Sequence, residues 1–249
     1  MSGDGVTYVG HATTLIEVDG TRLLTDPVLM ARIGHIRRIA PLSAARFRVD
    51  AVLISHAHHD HLDLRSLRRL AEDIPVVAPP GSAQVVRRWT RRRVIEAEPG
   101  TRARVGAVQV LATPAEHDGR RVPVGPKMPA VGYVVEGTSR VAFFGDTDLF
   151  DGMSDLAGGL DVALLPIWGW GPRVGPGHMD PERAARAAAL LRPRVAVPIH
   201  WGTLAGPRVR WLADPAEPTR RFEELVAAHA PDVAVRILAP GERLALPGA

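Results

Sequence analysis

The sequence runs Ser55-His56-Ala57-His58-His59-Asp60-His61 at the end of a buried apolar strand, so four histidines and one aspartate fall within six residues. Residues two apart in an extended chain face the same side, so His56 and His58 can converge on one point. The chain then turns into a helix, which directs Asp60 and His61 towards a second point nearby. Imidazole and carboxylate donors together suit Zn, Mn or Fe better than Ca or Mg alone. The stretch therefore predicts metal ligands at the end of a strand.

Three further candidate ligands also follow predicted strands. His117 comes after Val108–Leu111, Asp146 lies in Phe143-Phe-Gly-Asp-Thr147, and His200 lies in Pro198-Ile-His-Trp-Gly202. Together with the first stretch they predict two adjacent metal sites bridged by the two oxygens of Asp146. The predicted ligands are His56, His58 and His117 for one metal ion, and Asp60, His61 and His200 for the other.

This order of ligands resembles the metallo-β-lactamase superfamily over nearly the whole chain. Four shorter motifs resemble a narrower branch, which contains the N-acylphosphatidylethanolamine-hydrolysing phospholipase D and relatives of the ascorbate-6-phosphate lactonase. These motifs are Gly10-His-Ala-Thr-Thr14, Leu24-Thr-Asp-Pro27, His178-Met-Asp-Pro-Glu182 and His200-Trp-Gly-Thr203. The resemblance implies an α/β fold, a four-layer αββα sandwich of two mixed sheets flanked by helices, in a single domain over residues 1–249. It also implies two divalent metal ions, with Zn expected first and Mn or Fe as alternatives.

The pattern along the chain predicts individual elements that agree with such a fold. Strands are expected at Val6–Val9, Thr14–Val18 and Thr21–Thr25, with Asp19-Gly20 as a two-residue turn between the last two. Asp180-Pro181-Glu182 predicts a helix start that continues to a point before Pro193. The other predicted elements are helices over Leu64–Glu72, Ser82–Arg91 and Thr219–Ala230, strands over Pro75–Ala78, Asp161–Pro166 and Val195–Ile199, and a closing hairpin over Val233–Leu246.

Composition narrows the chemistry further. The chain of 249 residues has 46% hydrophobic and 23% charged residues, and it has no cysteine. Disulfides, thiolate metal sites and a cysteine nucleophile are therefore excluded. The longest apolar runs fall short of the roughly 18 residues of a membrane helix, and the first residues lack a secretory signal pattern. These features predict a cytoplasmic protein without a transmembrane segment, and they leave self-association into a homo-oligomer open.

Several residues outside the ligand set receive roles. Asp60 is expected to orient the nucleophile, and His178, which resembles a family histidine near the substrate, to hold the leaving group or an oxyanion. Asp26 resembles the family's structural aspartate that braces the metal loop. The predicted substrate-binding residues are His11, Arg120, Arg121 and Trp168.

The expected reaction is hydrolysis by a hydroxide formed from water between the two metal ions. A phosphodiester or phospholipid-like ester is the first candidate substrate, and a lactone or carboxylic ester is the alternative. A third hypothesis, of another class, is a non-catalytic metal-bound scaffold that binds nucleic acid through the basic run Arg87–Arg93. The net charge of +4 rests almost entirely on arginine. The expected partner is a small-molecule or lipid-like anionic substrate rather than nucleic acid.

Overall fold

The computed structural model describes residues 3–42, 48–122, 125, 127–171, 174–207 and 214–246. The first of two seven-stranded sheets consists of β1 (Gly5–Gly10), β2 (Thr13–Val18), β3 (Thr21–Thr25), β6 (Ala51–Leu53), β7 (Val76–Ala78), β8 (Val94–Glu96) and β17 (Arg243–Ala245). Their order is β17-β1-β2-β3-β6-β7-β8, with β3, β6, β7 and β8 parallel. The predicted turn between β2 and β3 is confirmed, since Asp19 and Gly20 both have positive φ, as a tight hairpin turn requires.

The second sheet is also mixed. It consists of β9 (Arg102–Val105), β10 (Val108–Pro114), β11 (Val131–Glu136), β12 (Arg140–Phe143), β13 (Val162–Pro166), β14 (Val195–Ile199) and β16 (Ala234–Val235). Their order is β16-β14-β13-β12-β11-β10-β9, and β12, β13, β14 and β16 run parallel. Because β10 and β12 are both antiparallel to β11, the carboxyl ends of β10, β12, β13 and β14 share one edge.

Helices cover the outer face of each sheet. The short helices α1 (Leu64–Leu67) and α2 (Ser82–Arg87) pack on the first sheet, and α3 (Pro181–Leu191) and α4 (Glu217–His229) on the second. Successive side chains of a strand point to opposite faces of the sheet, so one strand contributes to two apolar cores. Leu23 packs in the core between the sheets, and Leu24 packs in the core under the helices. The predicted four-layer αββα sandwich is confirmed. In the described part of the chain, no helix has the length and apolar character needed to cross a bilayer.

The helix predicted over Leu64–Glu72 is shorter, because its i→i+4 hydrogen bonds give way to tighter i→i+3 bonds near Leu67. After Leu67 the backbone continues in tight turns, such as Leu70 N–H to Leu67 O at 3.1 Å. The Arg92 guanidinium donates to the backbone carbonyls of Leu67, Leu70, Ala71 and Ile74, and so provides hydrogen-bond partners for the irregular segment after α1. The helix predicted over Ser82–Arg91 likewise ends early, at Arg87.

The predicted closing hairpin over Val233–Leu246 is wrong. β16 joins the second sheet beside β14, and β17 joins the first sheet beside β1. The turn region between them therefore crosses from one sheet to the other. Pattern alone identified two strands here but could not assign them to different sheets.

A third sheet was not predicted. It has three short strands, β4 (Arg32–Ile33), β5 (Ile36–Arg38) and β15 (Leu204–Ala205). Ile33, Ile36 and Leu204 form a small apolar cluster there with Val28 and the partly buried Trp170. This sheet lies beside the predicted metal ligands and forms part of a cavity described below.

Candidate active site

The predicted ligands meet where the carboxyl ends of strands from the two large sheets come together. The histidine-rich stretch follows β6, and His117, Asp146 and His200 follow β10, β12 and β14. Ligands in α/β proteins are expected at the carboxyl ends of the strands. The backbone next to Asp146 lies close to Ser55, which requires a glycine at position 145. Gly145 has φ +60°, and a Cβ there would collide with the Ser55 side chain.

Among the described residues, three groups of side chains could each hold a metal ion, with ligand atoms within 4.8 Å of one another, and the smallest, Asp26, His56 and His61, shares its histidines with the other two. The first group contains His56, His58, His117 and Asp146, and the second contains His11, Asp60, His61 and His200. We call these eight residues the imidazole–carboxylate cluster. Asp146 lies between the groups, since its Oδ2 is 3.1 Å from His61 Nε2 and its Oδ1 is 3.1 Å from His200 Nε2.

Four histidines of the cluster are held by their Nδ1 atoms. His117 Nδ1 donates to Gly177 O and His200 Nδ1 to Trp168 O, both at 2.8 Å, because carbonyl oxygens only accept. His61 Nδ1 donates to Asp26 Oδ2 at 2.7 Å, and His56 Nδ1 lies 3.0 Å from Ser55 Oγ. Each ring therefore presents Nε2 to the cluster. Such outer hydrogen bonds are typical of metal-ligating histidines.

Asp26 connects two of these rings. It is fully buried, and it accepts hydrogen bonds from the Ser55 backbone N–H at 2.7 Å and the Ser55 hydroxyl at 2.5 Å. Since the Ser55 hydrogen goes to Asp26, Ser55 Oγ accepts from His56 Nδ1. Asp26 thus orients His61 directly and His56 through Ser55. This geometry agrees with the bracing role that the sequence suggested.

Backbone strain concentrates at the same place. Among the described residues, five other than glycine have positive φ, and three of them are His11 (59°), Asp26 (32°) and His200 (63°). Such conformations cost free energy and persist where the surrounding contacts enforce them, which is common at functional sites. Here the compensating contacts are the buried hydrogen bonds of these same side chains.

The electrostatics of the cluster favour a bound cation. Burial lowers the pKa of His56 and His58, and it lowers the pKa of His117 to about 4 and of His200 to about 3. These imidazoles are therefore neutral at pH 7, the form that binds metal. Burial would also lower the pKa of His61, but the carboxylates around it, Asp146 first among them, raise it well above its usual value.

The hydrogen-bond partners of the donor atoms show whether the cluster fits a metal ion. His58 Nδ1 lies 2.9 Å from His56 Nε2 and 3.2 Å from His117 Nε2, so three ring nitrogens face one another. Their lone pairs repel unless a proton or a cation lies between them. Asp146 Oδ1 is buried without a hydrogen bond of good geometry from the described residues. The donor set therefore fits transition-metal ions such as Zn, Mn or Fe.

His178 borders the cluster. Its Nε2 lies 3.3 Å from Asp146 Oδ2, its ring is edge-on to His117, and its side chain is 25% exposed. Burial would lower its pKa, but the hydrogen bond and negative charge of Asp146 raise that pKa to about 9. His178 thus joins the ligand group to the solvent-accessible space, consistent with the substrate-side position predicted for it.

Two cavities open on the cluster. The larger, about 650 Å³, has an apolar wall formed by Ile33, Ile36, Leu64, Trp89 and Trp170, and it reaches His58, Asp60, Asp146 and His178. The smaller, about 400 Å³, is lined by Asp118, Arg120, Pro176 and other residues. Both cavities share His58, Arg121 and His178. A substrate at the cluster can therefore extend in two directions.

The four predicted substrate-binding residues occupy different positions. Arg120 and Arg121 line the smaller cavity, and Arg121 also donates to the backbone carbonyls of Ala57, within the ligand stretch, and Leu62, directly after it. His11 is 1% exposed, contacts Asp60 and is not among the residues that line either cavity. Trp168 is partly buried in the core beneath α3, and its carbonyl accepts from His200.

Trp170 and His35 are not among the site residues predicted from the sequence. The Trp170 indole N–H donates to Asp60 Oδ2 at 3.0 Å, and its ring meets His35 edge-on. Both residues line the larger cavity. Trp170 lies two residues beyond the predicted Trp168, and it is the side chain of Trp170 that faces the site. Only the direction of each side chain along this segment could have distinguished the two tryptophans in the sequence. His35 lies in the unpredicted third sheet, in the turn between β4 and β5.

The fold buries one arginine of the basic run Arg87–Arg93 and leaves the others exposed. Arg92 is 3% exposed and serves the backbone carbonyls near α1, whereas Arg87, Arg88, Arg91 and Arg93 are exposed. The run is therefore partly structural. Its exposed member Trp89 belongs to the wall of the larger cavity.

Comparison with known proteins shows which family the chain belongs to. Residues 21–201 match the family described as Beta-lactamase superfamily domain. A UPF0173 metal-dependent hydrolase of Methanopyrus kandleri is 35% identical over 95% of this chain and 97% of the relative. The N-acyl-phosphatidylethanolamine-hydrolyzing phospholipase D 1 of Caenorhabditis elegans is 27% identical over 91% of this chain and 71% of that protein. Among solved structures, a metallo hydrolase of Ignicoccus hospitalis has a TM-score of 0.72, with 28% identity and 97% of each chain covered.

Fold, site and relatives together define a metal-dependent hydrolase with the metallo-β-lactamase fold. The chain belongs to the β-lactamase superfamily. An enzyme is therefore favoured over the non-catalytic scaffold that the basic run had suggested.

Proposed function

We propose that this enzyme hydrolyses an amphiphilic phosphodiester or phospholipid-like ester with the help of two divalent metal ions, Zn in the first place. His56, His58, His117 and Asp146 would hold one ion, and Asp60, His61 and His200 the other, with Asp146 shared. When bound, the ions supply Lewis acidity and lower the pKa of water towards neutrality. The observation that carries the substrate class is the apolar cavity that opens directly on the cluster beside an arginine-lined one.

The residues of the chain divide the remaining tasks. Asp26 and Ser55 orient His61 and His56, so that the ligand nitrogens are in place before metal binds. His178 lies where the two cavities meet and can donate a hydrogen bond to the leaving oxygen of a substrate. The apolar wall would bind an acyl or aryl group, and Arg120, in the smaller cavity, an anionic group.

A lactone or carboxylic ester is the second candidate, and one observation favours it. Arg121, the arginine shared by both cavities, already donates to the carbonyls of Ala57 and Leu62. This commitment leaves less of its guanidinium for a phosphate. A neutral ester or lactone would need only the apolar wall and a hydrogen-bond donor such as His178.

The test compares two substrate classes on one protein. Metal-free protein is reconstituted separately with Zn and with Mn, and turnover is measured on bis(p-nitrophenyl) phosphate and on p-nitrophenyl carboxylic esters. Metal-dependent turnover of the phosphodiester supports the first candidate, and turnover of only the carboxylic esters supports the second. Protein that binds two metal ions but hydrolyses neither class would contradict the proposed substrates.

A further inference from the structure

Trp170 contacts both the ligand cluster and the apolar cavity. It follows β13, and its ring packs against the small apolar cluster that contains Ile33 and Ile36 and forms part of the cavity wall. The indole N–H points the other way and donates to Asp60 Oδ2 at 3.0 Å. One side chain therefore touches the space for substrate and a proposed metal ligand.

The oxygen that Trp170 contacts is the one that faces the other ligands. Asp60 Oδ2 lies 3.8 Å from His61 Nε2 and 3.9 Å from His200 Nε2. It also lies 3.1 Å from His11 Nε2, which must donate because a carboxylate only accepts. Two donors from distant parts of the chain, one after β1 and one after β13, thus fix the same oxygen.

We infer that Trp170 is a positioning residue with two separable functions: its N–H orients Asp60 for metal binding, and its ring forms the wall for the apolar part of the substrate. The inference rests on the proposed function, since it takes Asp60 as a ligand. It adds that a group filling the apolar cavity presses on the same side chain that holds Asp60. Trp170 therefore contributes to both metal geometry and substrate fit, through different parts of its side chain.

Two substitutions separate the functions. Trp170→Phe keeps an aromatic ring at the wall and removes the donor, and Trp170→Gln keeps an N–H donor and removes the ring. Trp201→Phe is the matched control, because it also removes an indole N–H, which here donates to Pro198 O, and Trp201 is not among the residues that line either cavity. Metal affinity is measured by chelator competition on metal-free protein, and kcat and KM are measured on p-nitrophenyl esters of increasing acyl length. Circular dichroism and thermal unfolding confirm that each variant is folded.

The inference predicts opposite patterns for the two variants. Trp170→Phe loses about 10-fold or more in metal affinity, as substitutions of outer hydrogen-bond partners do, and its kcat falls while the dependence of KM on acyl length is kept. Trp170→Gln retains metal affinity, and its KM rises most for the longest chain, because each buried methylene contributes to binding. The Trp201→Phe control changes neither property.

The inference about Trp170 and the proposed function can fail independently. Wild-type metal affinity in Trp170→Phe, or equal changes of both properties in both variants, contradicts the inference and leaves the proposed function intact. A wild-type protein that binds metal but hydrolyses neither the carboxylic esters nor bis(p-nitrophenyl) phosphate contradicts the proposed function, and the affinity of Trp170→Phe then still decides the inference.

Discussion

The ligand cluster and the apolar cavity wall are built in different ways, although Trp170 of the wall donates a hydrogen bond to Asp60 of the cluster. The cluster lies on strand ends of the two large sheets, is almost completely buried, and has each of four imidazoles fixed by a hydrogen bond at Nδ1. The wall comes from two- and three-residue strands, a four-residue helix and the 58% exposed Trp89. The cluster is fixed by directional bonds, and the wall is held by packing.

Because the cluster and the wall are held in different ways, substitutions in the two regions should have different effects. Directional hydrogen bonds define ligand positions closely, so changes in the cluster should alter metal binding and the rate of the reaction. Apolar packing is tolerant of substitution, so changes in the wall should alter which substrate binds. The substitutions below test whether the two regions are separable.

The largest effect is expected for Asp146→Ala, which removes the one carboxylate that lies between the two ligand groups. We expect loss of detectable hydrolysis and of at least one bound metal ion, because no neighbouring carboxylate can replace it at that position. Turnover and metal content by mass spectrometry measure this. Asp148→Asn, which alters a partly exposed carboxylate nearby, should leave both unchanged. Full activity in Asp146→Ala would remove the cluster from the mechanism.

A smaller effect in the same region is expected for Asp26→Asn. The amide can no longer accept from His61, Ser55 N–H and Ser55 Oγ together, so the His61 and His56 rings lose their orientation. Metal affinity should fall about 10–100-fold, as measured by chelator competition. If affinity stays at the wild-type value while stability falls, Asp26 serves folding and not the metal site.

The wall is tested by Ile36→Ser, which places a hydroxyl in the larger cavity. KM for a long-chain ester should rise about tenfold, because a hydrophobic pocket discriminates by that order for a lost apolar contact. Metal affinity should stay unchanged. Ile39→Ser is the control, since Ile39 is 42% exposed and is not among the residues that line the cavity. A fall in metal affinity in Ile36→Ser would show that the two regions are not separable.

The smallest effect on function is expected for Arg92→Met. The buried carbonyls near α1 lose their donor, so the free energy of unfolding should fall by about 1–3 kcal/mol. Denaturant unfolding measures this, and the exposed Arg91→Met is the matched control. Because α1 contributes Leu64 to the wall and nothing to the cluster, metal affinity should not change. Equal stability of the two variants would contradict the structural role of Arg92.

The ligand cluster was largely predictable from sequence, and the wall was not. His56, His58, Asp60 and His61 share one stretch, and the order of His117, Asp146 and His200 at strand ends indicated the rest. These signals are local, because a ligand type and a strand end appear together in the sequence.

The unpredicted features depend on contacts between distant segments. Trp170 meets Asp60 across 110 positions, and β15 pairs with β5 far earlier in the chain. Strands of two or three residues carry no periodic pattern, so the third sheet left no signal. Arg92 donates to the carbonyl of Leu67, 25 residues earlier in the chain, where α1 ends. Burial of an arginine in this way cannot be distinguished from a solvated basic run by sequence alone.

The central claim is that this chain holds two divalent metal ions in the cluster and needs both for hydrolysis. The most direct measurement is titration of metal-free protein with Zn while turnover of the best p-nitrophenyl substrate is followed. We expect two ions bound per chain, with activity reaching its maximum only when the second is bound. Saturation at a single ion, or full activity in metal-free protein, would contradict the account.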